Sequence, residues 1–484
     1  MSARSSKSCC ASYRYVVLVV AGLQLSFILV SVITFNAAFV AMQDISTSPL
    51  YEGVINGSSN STDWSSSDLP MAERRFVWGF LEKSLSFAGA FGSAVVGTQP
   101  IGMLILRFGA HRSMTIMGAV GALAVAFTPF AISWSFPLFV VVRVINGLTF
   151  GNLFPVAGMI VNEWAPLSES GIFVAVLTGH VEISALYAMP VGAAVATSVS
   201  WPFVFWLNGA ILGVITLLWT LLYRDRPSVH PFVSADEVAA IAKGKAERSN
   251  KPAAVPHRGI FSSAVIWSTW IAAIGTFFVA QFSITWAPVY ISRVLGYSTA
   301  VTGVITIFPL LAQMVIKVGT GLLSDKLTCI NEVLKLRLFN SVALIGASLF
   351  FAVATIVQPT GGAHDVFLAV APMALLGFHS GGFPKCIVMV SRQHSSFVLS
   401  IVQMIACSSL LVGSFVVPAL TPDNTFAQWR KVFIIYALLL VLCNTIFVVC
   451  AKPHPALWTQ EKVVEESEQS KEERDEPTLN QPSV

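Results

Sequence analysis

Twelve apolar segments of about 20 residues or more run through the chain, with short polar stretches between them. An α-helix needs about 20 apolar residues to cross a lipid bilayer, and only helices or closed barrels satisfy their backbone hydrogen bonds there. The segments therefore predict an all-α membrane protein with twelve transmembrane helices. They are 15–42, 84–106, 113–133, 136–162, 171–197, 201–223, 261–289, 301–323, 337–358, 366–391, 396–420 and 431–451.

Composition argues against several other classes of protein. Hydrophobic residues make up 55% of the chain and charged residues 11%, whereas roughly 25% of a soluble domain is charged. The net charge is +4 and no basic aromatic face is present, so we expect no nucleic-acid partner. Neither a metal-ligand spacing nor a glycine-rich phosphate cradle nor a catalytic set occurs. We therefore expect no enzyme activity, metal or cofactor.

A short loop containing glycine and basic residues occurs twice. One copy ends the second apolar segment and the other ends the eighth, which predicts two six-helix halves, 15–223 and 261–451. Glycine allows a tight turn between helices, and a basic residue interacts favourably with the C-terminal end of a helix. The residues of the two copies are Gly102, Arg107, Gly109 and Arg112, then Gly321, Asp325 and Lys326.

The positions of lysine and arginine predict the orientation of the chain. Most of them fall on one side if the segments alternate in direction, and that side is cytoplasmic by the positive-inside rule. The cytoplasmic parts are then the N-terminus 1–14, the linker 224–260 and an acidic tail, 452–484, which we expect to be disordered.

The large loop 43–76 then lies on the exoplasmic side. It carries two glycosylation sequons, at Asn56 and Asn60. A sequon is modified only on that side of the membrane. We therefore expect a glycosylated protein of the plasma membrane or of a vesicular or lysosomal membrane.

The motifs resemble those of a known family. The repeated loop is similar to the signature loop of the major facilitator superfamily. The stretch from Arg143 through Gly147 and Gly151 to Pro155 is similar to the fourth-span signature of the anion/cation symporters. That family includes the sodium-phosphate cotransporters, sialin and the vesicular glutamate transporters. The resemblance covers about residues 15–458. It implies the major facilitator fold, transport by alternating access, and gating by the repeated loops.

The chain also departs from that family at ionisable positions. Thr34, Phe87, Phe150 and Thr276 stand where relatives carry charged or titratable side chains. Arg143 is retained. The resemblance thus implies the fold and a transport role, but it does not imply a glutamate or sialic-acid carrier and leaves the substrate and the coupling ion open.

Several polar side chains fall at membrane depth, where burial of a charge is costly and such groups usually face a cavity. As substrate-binding candidates, the basic ones would attract an anion and the others would hydrogen-bond it. The alternatives are helix packing for Arg143, snorkelling to the cytoplasmic face for the two lysines, and interhelical hydrogen bonds for the uncharged groups. The candidates are Arg143, Lys317, Lys385, His379, Asn36, Gln281 and Trp286.

Glu182 and His180 are the candidates for ion coupling. They lie two residues apart in the fifth segment, so their side chains point about 200° apart on a helix and cannot both face a cavity. A buried carboxyl group can bind a proton near neutral pH. The alternatives are a helix-bridging acid, held by a hydroxyl group or by Arg143, and a structural histidine.

The sequence therefore predicts a monomeric secondary active transporter of a small organic or inorganic anion. Transport is coupled to protons or sodium, or is uncoupled. The partners are the anion, the coupling ion and the lipid bilayer. Two alternatives stay open: a facilitator of a neutral solute, and a transport-inactive sensor or scaffold with the same fold.

Overall fold

The computed structural model describes residues 13–43, 69–243 and 255–459, except residues 77, 298 and 328. Within these residues the chain is helical and contains no strand. The first six spans lie in the first half of the chain. Their bounds are Tyr13–Gln43 (α1), Phe80–Phe108 (α2), Ala110–Trp134 (α3), Phe136–Phe150 with Leu153–Trp164 (α4), Ser170–Thr178 with His180–Ser198 (α5) and Trp201–Leu222 (α6).

The second half has the same number of spans. Their bounds are Ala264–Gln281, Phe282–Trp286 and Ala287–Arg293 (α7), Thr299–Lys326 (α8), Glu332–Ile356 (α9), Ala363–Leu375, Leu376–Gly381 and Phe383–Ser391 (α10), Ser395–Leu420 (α11) and Phe426–Cys450 (α12). Within the described residues, eleven stretches are long and apolar enough to cross a membrane, and one of them, Ala363–Val417, contains α10 and most of α11. The predicted all-α fold with twelve spans is therefore confirmed.

Four spans are interrupted. The helix breaks near Gly151 in α4 and at Gly179 in α5, widens to a π-helix over Phe282–Trp286 in α7, and tightens to a 3₁₀-helix over Leu376–Gly381 in α10. Irregular backbone at membrane depth is tolerated where it is buried in protein or lines a cavity. These four spans are the ones we expect to surround a site.

The first copy of the repeated loop forms a tight turn between α2 and α3. Gly109 has a φ of +86°, a conformation that favours glycine. The Asp225 carboxylate accepts a hydrogen bond from the backbone N–H of His111 at 2.8 Å. A Cβ atom on Gly109 would lie 2.3 Å from Asp225 Oδ2. The turn is therefore fixed by an acidic residue that follows α6.

The linker packs against the first half. Its helix Ala235–Ala242 is capped by Ser234, whose hydroxyl group accepts from the backbone N–H of Glu237. The Glu237 carboxylate in turn accepts from the backbone N–H groups of Tyr13 at 3.1 Å and Arg14 at 3.0 Å. Because the first N–H groups of a helix have no carbonyl partner within that helix, the linker caps the first span.

Alternation of the spans places the turns α2–α3, α8–α9 and α10–α11 at the same end of the bundle as the linker. We call this end the linker side and the opposite end the outer side. Three apolar clusters form the core. Residues 260–451 contribute most of one cluster, and residues 17–241 contribute most of the other two.

Candidate functional site: a central ion pair and cavity

A buried ion pair joins the two halves of the molecule. Glu182 lies on α5 and Lys317 on α8, and each Glu182 carboxylate oxygen is 2.9 Å from Lys317 Nζ. Both side chains are 2% exposed. The two residues are therefore fully desolvated in this conformation, and the ion pair connects one half to the other.

Neighbouring groups complete the hydrogen bonding of the pair. Gln313 donates from Nε2 to Glu182 Oε1 at 2.7 Å, and Lys317 Nζ donates to the Thr178 carbonyl oxygen at 3.0 Å. Thr178 adjoins the interruption of α5 at Gly179. A buried ion pair offsets its desolvation cost only with good geometry and added hydrogen bonds, and this pair has both.

The ion pair borders a small cavity between the halves. The cavity has a volume of about 30 Å³, enough for roughly two water molecules. All four interrupted spans contribute to its wall. The lining residues are Phe154, Thr178, Val181, Glu182, Thr276, Phe277, Ala280, Gln313, Lys317, Met373, Leu376, His379, Phe383, Pro384, Leu399 and Val402.

The two histidines differ in position. His379 lines the cavity; its Nδ1 donates to the Leu376 carbonyl, and its ring stacks on Phe383 with centroids 5.6 Å apart. His180 does not line the cavity. Its Nδ1 donates to the Leu177 carbonyl at 2.8 Å, and its ring packs edge-on against Phe154. His180 and Glu182 thus face different ways, as their spacing predicts.

The structure places Arg143 away from this cavity, and its assignment to the substrate site stays a prediction. Its Nε donates to the Ser86 carbonyl and its Nη1 to the Val32 carbonyl, both at 2.9 Å. The guanidinium group lies 4.7 Å above the ring of Phe35. Arg143 is buried in helix packing away from the cavity walls, because two backbone carbonyls and an aromatic face hold it there.

The two lysines differ in position, since Lys317 lines the cavity and Lys385 does not. Lys317 does not snorkel, because Glu182 holds it at membrane depth. Lys385 lies nearer the linker side, where its Nζ donates to Ser324 Oγ at 2.8 Å and is 3.7 Å from Glu332 Oε2. Lys385 is not among the cavity-lining residues and does not belong to the central site.

Three uncharged candidates likewise lie outside the cavity wall. Gln281 accepts from the Tyr436 hydroxyl group at 3.3 Å, which directs it towards α12. Asn36 Oδ1 and Trp286 Nε1 are buried without a partner among the described residues. None of the three lines this cavity, so their assignment to the substrate site stays a prediction.

The second repeated loop brings the halves together on the linker side. A Cβ atom on Gly321 would lie 2.9 Å from both the Gly171 carbonyl oxygen and Ala175 Cβ on α5. Asn162 adds a polar contact, because its Nδ2 donates to Ser395 Oγ at 2.7 Å. The halves therefore meet between the cavity and the linker side.

Several other described residues of the two repeated loops are more exposed than Gly321. Gly102 is partly buried, and a Cβ atom there would lie 3.2 Å from Asn152 Oδ1. Arg107, Arg112 and Lys326 are exposed. Their predicted role in gating stays a prediction. The side chain of Asp325 and the sequons at Asn56 and Asn60 lie outside the described part of the chain.

Sequence reasoning missed Gln313 and Thr178. Each lies four residues before a candidate that was recognised, Gln313 before Lys317 and Thr178 before Glu182. Residues four apart share one face of a helix. That periodicity is the signal that identifies both.

Comparisons with known proteins agree with this architecture. A family model described as "Major Facilitator Superfamily" matches residues 21–391. Sialin of Homo sapiens is 23% identical over 464 residues, covering 94% of this chain and 91% of that protein. Sodium-dependent phosphate transport protein 3 of Mus musculus is 23% identical over 80% of this chain and 82% of that protein. Vesicular glutamate transporter 3 of Danio rerio is 25% identical over 78% of this chain and 65% of that protein.

Among solved structures, the proton:xylose symporter XylE superposes with a TM-score of 0.65 at 13% identity, covering 90% of this chain and 94% of that chain. At that identity the likeness concerns the fold. The relatives are transporters, so the chain is a multi-pass membrane transport protein and not an enzyme. The family model covers more than half of the chain and shows that the chain belongs to the Major Facilitator Superfamily.

Proposed function

We propose that the protein is a secondary active transporter of a small organic or inorganic anion, which binds Lys317 while Glu182 is protonated. The buried Glu182–Lys317 pair is the single observation that carries this proposal. The names of the relatives, which include phosphate and glutamate transporters, support the anionic class of the cargo.

Charge balance explains why the proton and the anion travel together. With Glu182 ionised, Lys317 is already neutralised and an entering anion has no countercharge. An unpaired buried charge costs several kcal/mol, and two carboxylates sharing one site repel each other. Protonation of Glu182 frees the ammonium group for the anion. The cavity is then neutral both without cargo, when Glu182 is ionised, and with a bound anion, when Glu182 is protonated.

Two histidines lie near the pair, and their contacts separate them from this role. His379 on α10 lines the cavity, whereas His180 on α5 does not. Each is held through Nδ1 by a carbonyl of its own span. Glu182 contacts Lys317 directly, so it is the proton acceptor of the proposal and the histidines are not.

Uptake into proteoliposomes tests the proposal. We expect an inward proton gradient to drive accumulation of an anion by the wild type. Glu182→Gln should abolish the dependence on pH, and Lys317→Met should abolish uptake. The matched control is Lys431→Gln, since Lys431 is exposed at the start of α12 and its loss should leave uptake unchanged.

The double variant Glu182→Gln/Lys317→Met separates this function from its main rival. It removes both charges together, so packing survives better than in either single variant. A facilitator of a neutral solute would keep its activity in the double variant, whereas an anion carrier would lose it. Accumulation that follows a sodium gradient, with no response to pH, would assign the coupling to sodium and refute the proton.

We also propose that the linker side is cytoplasmic and that the glycosylated loop 43–76 is exoplasmic, which the distribution of basic residues supports. Epitope tags at the N-terminus and in that loop test the orientation in selectively permeabilised cells. Detection of the N-terminal tag in intact cells would refute it.

A further inference from the structure

We propose that the cargo is a monoanion with a flat, apolar body, such as an aromatic carboxylate or sulfonate. This inference rests on the proposed function and concerns the same cavity. It joins three observations: the cavity wall offers one lysine, few available hydrogen-bonding groups and an aromatic pair that spans the two halves.

The charge of the wall limits the cargo to one negative charge. Lys317 is the one lysine or arginine among the lining residues of the described chain, and Glu182 is its acidic partner. When Glu182 is protonated, a single negative charge on the cargo neutralises Lys317. The second charge of a dianion would remain unpaired in a desolvated space, which is strongly unfavourable.

The polar groups of the wall limit the number of hydroxyl groups on the cargo. Thr178 and Thr276 already donate from Oγ1 to carbonyl oxygens of their own helices, Val174 at 2.7 Å and Ala272 at 3.0 Å. Gln313 Oε1 is buried without a partner within the described residues. A cargo with many hydroxyl groups would leave most of them unsatisfied, at a cost of about 1–3 kcal/mol each.

The apolar groups indicate the shape of the cargo. Phe154 on α4 and Phe277 on α7 meet edge to face across the two halves, with ring centroids 5.7 Å apart. Both line the cavity together with Phe383. The present space holds roughly two waters, so the halves must separate before a cargo enters. A flat apolar ring can then replace the Phe154–Phe277 contact, while its charged end reaches Lys317.

The test compares the uptake of four labelled anions that cross lipid bilayers poorly. Benzenesulfonate has one charge and a ring; phthalate has a ring and two charges. Gluconate has one charge and many hydroxyl groups; inorganic phosphate has no apolar body. Uptake by Lys317→Met liposomes is subtracted from each. We expect benzenesulfonate uptake to exceed that of the other three by at least tenfold.

Two variants test the ring contact itself. Phe277→Leu keeps an apolar side chain but removes the ring, and it should lower benzenesulfonate uptake about three- to tenfold. Phe278→Leu is the matched control, because Phe278 packs edge-on against Tyr436 on α12 and is not a lining residue. Thermal melting of both variants verifies that they fold like the wild type.

The outcomes distinguish this inference from the proposed function. Lys317-dependent uptake of gluconate, phthalate or phosphate that equals or exceeds that of benzenesulfonate would overturn the inference and leave an anion carrier in place. Equal effects of the two phenylalanine variants would also overturn it. If no anion shows Lys317-dependent uptake, the proposed function itself is refuted.

Discussion

Removal of one partner of the Glu182–Lys317 pair should destabilise the fold far more than removal of both. Each side chain is 2% exposed, and Glu182 also accepts from Gln313. Glu182→Gln leaves a buried ammonium group and Lys317→Met leaves a buried carboxylate, at about 3–5 kcal/mol each. The double variant has no unpaired charge, and uncharged replacements of similar volume are often neutral or stabilising by about 1–4 kcal/mol.

The size of this difference makes a double-mutant cycle on Glu182 and Lys317 easy to measure. Additive effects would sum to about 6–10 kcal/mol, comparable to the total stability of about 5–15 kcal/mol of many proteins. Coupled effects would leave the stability of the double variant close to that of the wild type. Thermal melting of the four purified proteins in one detergent, at one pH, gives the ranking directly.

We expect the two single variants to melt well below the wild type and the double variant to melt near it. A double variant that melts lower than either single variant would show that the two charges act independently. The buried ion pair, and every argument that uses it, would then be wrong.

Three further predictions concern the linker side. Gly321→Ala should weaken the contact between α8 and α5 on the linker side by about 1–3 kcal/mol through overpacking. Cysteine reagents should then reach the cavity from the linker side more readily. Gly319→Ala is the control, since nothing lies within 4 Å of its added Cβ atom. Asp225→Ala should lower thermal stability by about 1 kcal/mol through loss of a helix cap, and Asp225→Asn should retain most of it. Burial lowers the pKa of His230 below its ordinary value, so the docked linker favours the neutral imidazole ring. The contribution of His230 to docking is therefore fully present above about pH 6.5 and is lost as the pH falls. Limited proteolysis of the linker should accelerate in acid for the wild type, and His230→Phe should remove that dependence.

Most of the fold follows from the length of the apolar segments, and the errors have local causes. The first span is predicted over 15–42 and observed over Tyr13–Gln43. The ninth is predicted from 337 but begins at Glu332. Its first turn carries two charged residues, yet Asn331 caps it and Lys335 pairs with Glu332 within it. Hydrophobicity alone therefore starts this helix too late.

The site was only partly predictable. Glu182, Lys317 and His379 are recognisable because ionisable residues at membrane depth tend to face a cavity. Their pairing was not, since Glu182 and Lys317 are 135 residues apart in sequence and helix periodicity does not say which faces of two spans meet. Arg143 is a different case. Its depth suggests a site, but the carbonyls of Ser86 and Val32 that hold it leave no trace in side-chain chemistry.

The α5–α8 contact offers a route by which the proposed protonation of Glu182 would open the halves on the linker side. On α5, Gly171, Ala175, Thr178 and Glu182 follow one another at intervals of three or four residues, as do Gly321, Lys317 and Gln313 on α8. Such residues form one stripe on each helix. The small residues pack at the linker side, and the charged residues pair at the cavity.

Both stripes belong to the same antiparallel contact. A change in the ion pair at its cavity end therefore alters the packing of the small residues at its linker-side end. Protonation of Glu182 removes the attraction that holds Lys317 to α5. Four residues further along α8, Gly321 then loses part of the force that keeps it against Gly171. An anion that occupies Lys317 makes this release persistent, since the pair cannot re-form until the cargo leaves. On this reasoning, cysteine-reagent access from the linker side should rise in Glu182→Gln even without cargo, and unchanged access would break the link between charge and gate.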